Sequence, residues 1–171
     1  HSILQRMNEL ATQAANDTNT STDRAAIRQE MDQLSSEINR IQSTTQFNTQ
    51  NLLDGSFTGK NLQVGSLSGQ SIKISIGQMN TSQLGISKLS VSTFEMAGSA
   101  MRLIQSAINQ VSNQRSALGA IQNRLEHTIN NLNTTSENTS AAESRIRDTD
   151  MASEMVEYSK NNILQQAGQS M

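Results

Sequence analysis

From residue 97 to residue 132 the chain repeats one spacing, four residues and then three, without a slip. The positions are Ala97, Met101, Ile104, Ile108, Val111, Arg115, Leu118, Gln122, Leu125, Ile129 and Leu132, and only Arg115 and Gln122 are polar. Such a repeat puts every member on one stripe of an α-helix and demands partner helices along that stripe. Ser92 and Glu95 offer a capping box at its start, which predicts a helix over 93–139. At 1.5 Å per residue this helix would be about 70 Å long, more than a globule of this size holds. The seam therefore predicts a rod. Arg115 and Gln122 either fix the register of the seam or lie at its edge with their stems on apolar surface.

Two earlier segments supply the partners. Ile3, Met7, Leu10 and Ala14 follow the same spacing, as do Ile27, Met31, Leu34, Ile38 and Ile41. They predict helices over 1–16 and 23–43. The short polar side chains of 17–22 compete for backbone hydrogen bonds and break the first helix. Thr20 or Thr22 is placed to cap the second, with Asp23 in its first turn. The predicted core is Ile3, Met7, Ile27, Met31, Leu34, Ile38, Ile41, Met101, Ile104, Ile108, Val111, Leu118, Leu125, Ile129 and Leu132. Methionine at three of these positions fits the ordinary role of filling gaps in a core.

Between residues 44 and 92 the pattern changes, with six of the nine glycines in this stretch. Leu62 and Val64, then Ile72, Ile74 and Ile76, alternate with polar residues and predict two strands joined by a turn over 66–70. A lone hairpin is marginal and must lie on a helix. The expected fold is mainly α: an elongated antiparallel helical bundle or coiled-coil rod with a small β-hairpin region in mid-chain. Beyond Leu132 the seam would fall on Ser136, Thr139 and Glu143. Ser140 with Glu143 leaves open a break there. A last, weakly amphipathic helix from Asp150 carries Ala152, Val156, Ser159, Ile163 and Ala167 on one stripe, with Met151, Met155 and Tyr158 beside it.

Composition supports a thin aliphatic core, because only 2% of residues are aromatic. Proline is absent, so nothing kinks a long helix. No cysteine is present, which excludes disulfides and thiolate metal sites. The net charge of −2 carries no footprint for nucleic acid, and no apolar run approaches the roughly 20 residues that span a bilayer. A start at His1 instead of Met reads as a fragment. His1 and His127 stand alone, and the carboxylates of 143–154 are interrupted by Arg145 and Arg147, as on a solvated helical face. Gly65-Ser-Leu-Ser-Gly69 lacks the Lys-Ser/Thr that follows in a phosphate loop. No cofactor, metal site or catalytic constellation is expected, and the chain is not read as an enzyme.

Several runs together resemble the conserved rod of bacterial flagellin. They are Leu4-Gln-Arg-Met-Asn-Glu-Leu-Ala-Thr-Gln13, Thr45-Gln-Phe-Asn48 with Leu52-Leu-Asp-Gly55, Leu118-Gly-Ala-Ile-Gln-Asn-Arg-Leu125, Ala142-Glu-Ser-Arg-Ile-Arg-Asp148 and Asn162-Ile-Leu-Gln-Gln-Ala-Gly168. The resemblance implies a subunit of the flagellar filament, extracellular and secreted through the flagellar export apparatus. A rod domain would cover 1–147, and 148–171 would begin the C-terminal inner-tube helix. Sequence would be missing at both ends, including an earlier rod helix. The middle is too short for large outer domains, so the resemblance is to a minimal flagellin. The implied partners are other subunits, an export chaperone at the C-terminal helix, and the host Toll-like receptor 5. The residues that resemble receptor-sensed flagellins are Gln5, Arg6, Leu10, Gln13 and Glu30, whereas Asn8 stands where the family often has Arg. Two other readings are the junction protein between hook and filament, and a coiled-coil module that binds an export chaperone.

Overall fold

The computed structural model describes the backbone of residues 1–169 and the side chains of residues 1–148 and 151–166. The side chains of Asp150 and Ala167, and Met171, which the sequence places in the last helix, lie outside the described residues. The elements are α1 (Ser2–Ala14), α2 (Ser21–Thr44), β1 (Gln46–Phe47), β2 (Gln50–Asn51), β3 (Lys60–Gln63), β4 (Ser71–Ile74) and α3 (Phe94–Gln169). The chain divides into two units, His1–Asn123 and Arg124–Met171.

In the first unit the helix ends are set by named side chains. Thr20 caps α2 in a reciprocal box: its hydroxyl accepts from the Asp23 N–H at 3.3 Å, and the Asp23 carboxylate accepts from the Thr20 N–H at 3.0 Å. At the other end of α1 the orphan carbonyls are met by Arg24. Its guanidinium donates to the carbonyls of Ala14 at 3.2 Å and Asn16 at 3.4 Å, and also to Ser92 just before α3 at 3.4 Å. The cap of α3 is Thr93, not Ser92: the Thr93 hydroxyl accepts from the Met96 N–H at 3.2 Å.

Three carboxylates of the first unit titrate below their ordinary range. The Thr20 hydroxyl and N–H hold Asp23 down, Arg40 holds Glu37 down, and the Ser56 hydroxyl and N–H hold Asp54 down. A depressed carboxyl binds its proton less readily folded than unfolded. Its contribution is thus complete above about pH 5 and is lost as the pH falls through the unfolded and then the depressed values. Thr20→Ala should lower the melting temperature at neutral pH, and the gap to the parent should narrow below pH 4 to the part due to the lost acceptor for the Asp23 N–H. Thermal melts from pH 7 to pH 2.5 check this, and a gap independent of pH would contradict it.

The core joins all three helices and the loop before α3. Leu4, Met7, Leu10, Ala11 and Ala14 of α1 cluster with Ile27, Met31 and Ile38 of α2. Ala97, Ala100, Ile104 and Ala107 of α3 and Leu84, Ile86 and Val91 of the loop complete it. Helix α1 runs antiparallel to both others: Arg6 meets Glu30, and Thr12 meets Met101. The centre of the α3 seam is displaced from the one read in the sequence. Ala100 and Ala107 are fully buried, whereas Met101, Ile108 and Val111 are half-buried beside them. Alanines at the contact let helix backbones approach closely, and the larger residues flank that line. Ile3, Ile41, Val111 and Leu118 are half-buried around an apolar hollow of about 210 Å³. Leu34 and Leu125 are half-buried too, and Arg115 and Gln122 are exposed, at the edge of the seam.

The middle holds two hairpins where the sequence pattern predicts one. β1 and β2 pair antiparallel through a two-residue turn, Asn48 and Thr49, both with positive φ (49° and 62°). That is the backbone of a type I′ turn, for which Asn-Gly is the usual signal and Thr is unusual. β3 and β4 pair with Leu62 opposite Ile72. Ile72 and Ile76 are buried, whereas Leu62 faces solvent. The hairpin is tied to α3 by Gln114, whose amide donates to the Ser75 carbonyl at 3.2 Å and accepts from the Gly77 N–H at 3.4 Å. Asn39 holds the following loop to α2 by accepting from both the N–H and the hydroxyl of Thr81, a residue only 5% exposed.

In the second unit the helix does not end at residue 139, and no cap forms at Ser140: α3 continues to Gln169. No Pro occurs, and no Gly lies between Gly119 and Gly168, so nothing forces a stop. Thr134 and Thr139 return their hydroxyls to carbonyls four residues back, and Glu143 pairs with Arg147 at 3.3 Å. Ile129 and Leu132, counted as core from the seam, are 57% and 44% exposed. A heptad period says which residues share a stripe, but not that the partner lies in the same chain.

Candidate functional site

Two surfaces of different chemistry stand out. The first lies across α1 and α2 in the first unit. Arg6 and Glu9 are one turn apart on α1, and Glu30 stands on α2, twenty-four residues away in sequence. Antiparallel packing around Met7 and Met31 brings them together. The Arg6 guanidinium donates to Glu30 at 2.9 Å and to Glu9 at 3.2 Å. These bonds, that to Glu30 foremost, hold Arg6 in its charged form and raise its pKa further. Gln5 and Gln13 are exposed on the same helix.

Leu10 is different. Its side chain is 1% exposed and belongs to the core cluster, so it does not form part of this surface. Leu10 lies four residues from Arg6, about 40° further round the helix, and Arg6 stands at the solvent edge of the face whose centre buries Leu10. Glu9, which the sequence reading passed over, completes the cluster. The signal for it was the ordinary i,i+3 spacing from Arg6. The patch is therefore a cation between two carboxylates, flanked by neutral amides. It has the form of a polar contact surface, with nothing in it to hold a substrate.

The second surface lies on the helix of the second unit. Met151, Met155, Val156, Tyr158, Ile163 and Leu164 are 59–70% exposed. Met155, Val156, Ile163 and Leu164 edge a shallow hollow with Ser159 and Lys160. Apolar side chains at this density on one helix exceed the scattered exposure normal for a soluble surface. Among the described residues there is no group of acidic, histidine or cysteine side chains that could hold a metal. No helix there is long and apolar enough to cross a membrane. His127 is exposed on α3 and belongs to no such group.

Comparison with known proteins gives this arrangement its family. Residues 1–58 match the bacterial flagellin N-terminal helical region, and residues 101–171 match the C-terminal helical region. Flagellin of Halalkalibacterium halodurans is 50% identical over 173 residues, covering all of this chain and 64% of that protein. The chain thus spans just under two thirds of that relative. Flagellin of Bacillus subtilis is 43% identical over 206 residues, covering all of this chain and 67% of that protein. Flagellin of Clostridium tyrobutyricum is 35% identical, covering all of this chain and 76% of that protein. The crystal structure of Bacillus cereus flagellin superposes with a TM-score of 0.66 at 32% identity, covering 76% of each chain. With both helical regions matched and flagellins at 35–50% identity along the whole chain, this chain belongs to the bacterial flagellin family, whose members are structural and not enzymes.

Proposed function

We propose that the chain is a structural subunit of the bacterial flagellar filament, exported and extracellular, and self-assembling for motility. The observation that carries this reading is the set of exposed apolar side chains on the second unit's helix, on a chain related to flagellins throughout. Covering Met151, Met155, Val156, Ile163 and Leu164 would contribute on the order of 10 kcal/mol, at about 2 kcal/mol for each side chain. The loss of translational and rotational freedom on association costs a similar amount. One contact of this kind is marginal, whereas contacts repeated on several neighbours are not. That is the energetic profile of a subunit that stays dispersed before export and polymerises at a growing end. The family names of the relatives favour the filament subunit over the junction protein between hook and filament. Electron microscopy of the native protein under polymerising conditions tests the choice: long filaments are expected, and their absence would remove the reading.

The same apolar face suits a second, transient partner, a small helical export chaperone that covers it before assembly. Co-purification with such a chaperone should vanish when 150–171 are deleted, and persistence would place the chaperone elsewhere.

The Arg6–Glu30 patch fits recognition by Toll-like receptor 5. Its exposed cation, which bridges two carboxylates, has the make-up of a polar hot spot at the rim of apolar contacts. Arg6→Ala or Glu30→Ala should reduce receptor signalling several-fold while the circular dichroism melt stays unchanged, because exposed ion pairs add little to stability. Unchanged signalling by both variants would take the patch out of the receptor site.

A further inference from the structure

Beside the point where Gln114 holds the chain after β4 lies an open groove of about 660 Å³, wholly within the first unit. Four more carboxamides line it: Gln78, Gln83, Gln110 and Asn113. None of these four side chains makes a hydrogen bond within the chain among the described residues. No charged and no aromatic residue lines the groove, which disfavours ions and sugar rings that stack on aromatic faces. A carboxamide presents a carbonyl acceptor and N–H donors, the same kinds of group as a peptide bond. Gln114 already uses its own in this way, pairing with the Ser75 carbonyl and the Gly77 N–H of an extended segment.

The same chain exposes a matching ligand. All four residues of β3 are exposed, and β4 covers only one of its edges. The Val64 N–H donates to the Gln70 carbonyl at 2.8 Å, continuing the register that pairs Leu62 with Ile72. Hydrogen-bonded pairs alternate along an antiparallel ladder. The backbone groups of Asn61 and Gln63 are therefore the ones turned away from β4. A free edge of this kind is a template for another chain, and only Lys60 guards it with charge.

We propose that the amide-lined groove receives the β3 edge of a second copy of the chain. Groove and edge are different surfaces of one subunit, so the contact is head-to-tail, and it propagates into a filament where its rotation does not close a ring. This rests on the filament reading and names two of the surfaces that would build it. The occupant is a second copy because one chain carries both halves.

The chain contains no cysteine, so single cysteines report the contact without background. Native protein carrying Asn113→Cys is mixed with native protein carrying Asn61→Cys, polymerised, and treated with a short bis-maleimide. Mixed cross-linked dimers are expected in the assembled state alone, with neither variant cross-linking to itself. Filaments without mixed dimers would overturn the proposal, and so would equal cross-linking within each single variant. An unsubstituted protein that forms no filaments would overturn the filament reading, and this contact with it. As a second measurement, Gln110→Ala with Asn113→Ala should raise the critical concentration for assembly roughly tenfold, the loss of one or two neutral hydrogen bonds. The melting temperature should not fall. If either cysteine variant fails to assemble, this double variant decides, and an unchanged critical concentration would overturn the proposal.

Discussion

Leu10→Ala is expected to lower the stability of the first unit by about 2–5 kcal/mol, the range for emptying a fully buried leucine site. Leu10 is 1% exposed and shares its cluster with Met7, Ile86, Val91 and Ile104. The surrounding residues come from three helices and a loop, so they cannot close together without moving several elements. For a chain of this length the melting temperature should fall by on the order of 10 °C. The result separates two roles that a sequence comparison merges. Under the proposed receptor role, a Leu10 that acts through the core makes Leu10→Ala lose signalling in step with the folded fraction, whereas Arg6→Ala loses it with the fold intact. A melt unchanged by Leu10→Ala would mean that the site is not packed as described.

Arg24→Ala is the second large effect, at about 2–3 kcal/mol, because charge-assisted hydrogen bonds are stronger than neutral ones. The Arg24 side chain is 18% exposed and approaches Asp17 at 3.6 Å in addition to its three carbonyls. It ties the end of α1 and the turn after it to the start of α3, two places far apart in sequence. Removing it leaves the carbonyls of Ala14 and Asn16 without that donor. Denaturant midpoints and faster amide exchange in residues 15–20 would register the loss. Arg24→Lys should recover less than half of it, since a single ammonium cannot span three acceptors in fixed directions. Full recovery by lysine would mean that charge alone matters there.

Much of the architecture was legible from spacing. Ile3 to Ala14, Ile27 to Ile41 and Ala97 onward each mark a helix, because side chains three and four apart lie on one face whatever surrounds them. The Thr20 cap followed from local chemistry, as Thr and Asp three apart satisfy each other's backbone without help from the rest of the fold. What spacing did not reveal was depth. Ala100 and Ala107 sit at the centre of the contact and Met101 at its side, because the angle at which two helices meet α3 is set by all three together. The hairpin at Asn48 and Thr49 was missed for a related reason. Its turn residues give a weak local signal, and the backbone accepts positive φ at Thr49 when flanking pairing compensates.

The candidate surfaces divide the same way. That Arg6 and Glu30 were of interest came from resemblance, but their 2.9 Å contact exists only because α1 and α2 pack antiparallel. Leu10 belonged to the same sequence motif and turned inward, since burial depends on what a helix faces. Along the chain, periodicity alone determined three helices and an apolar stripe that fades. Tertiary structure decided which members of each stripe are buried, which polar ends meet, and which apolar residues stay in water. Spacing is a property of one helix, and burial is a property of its neighbours.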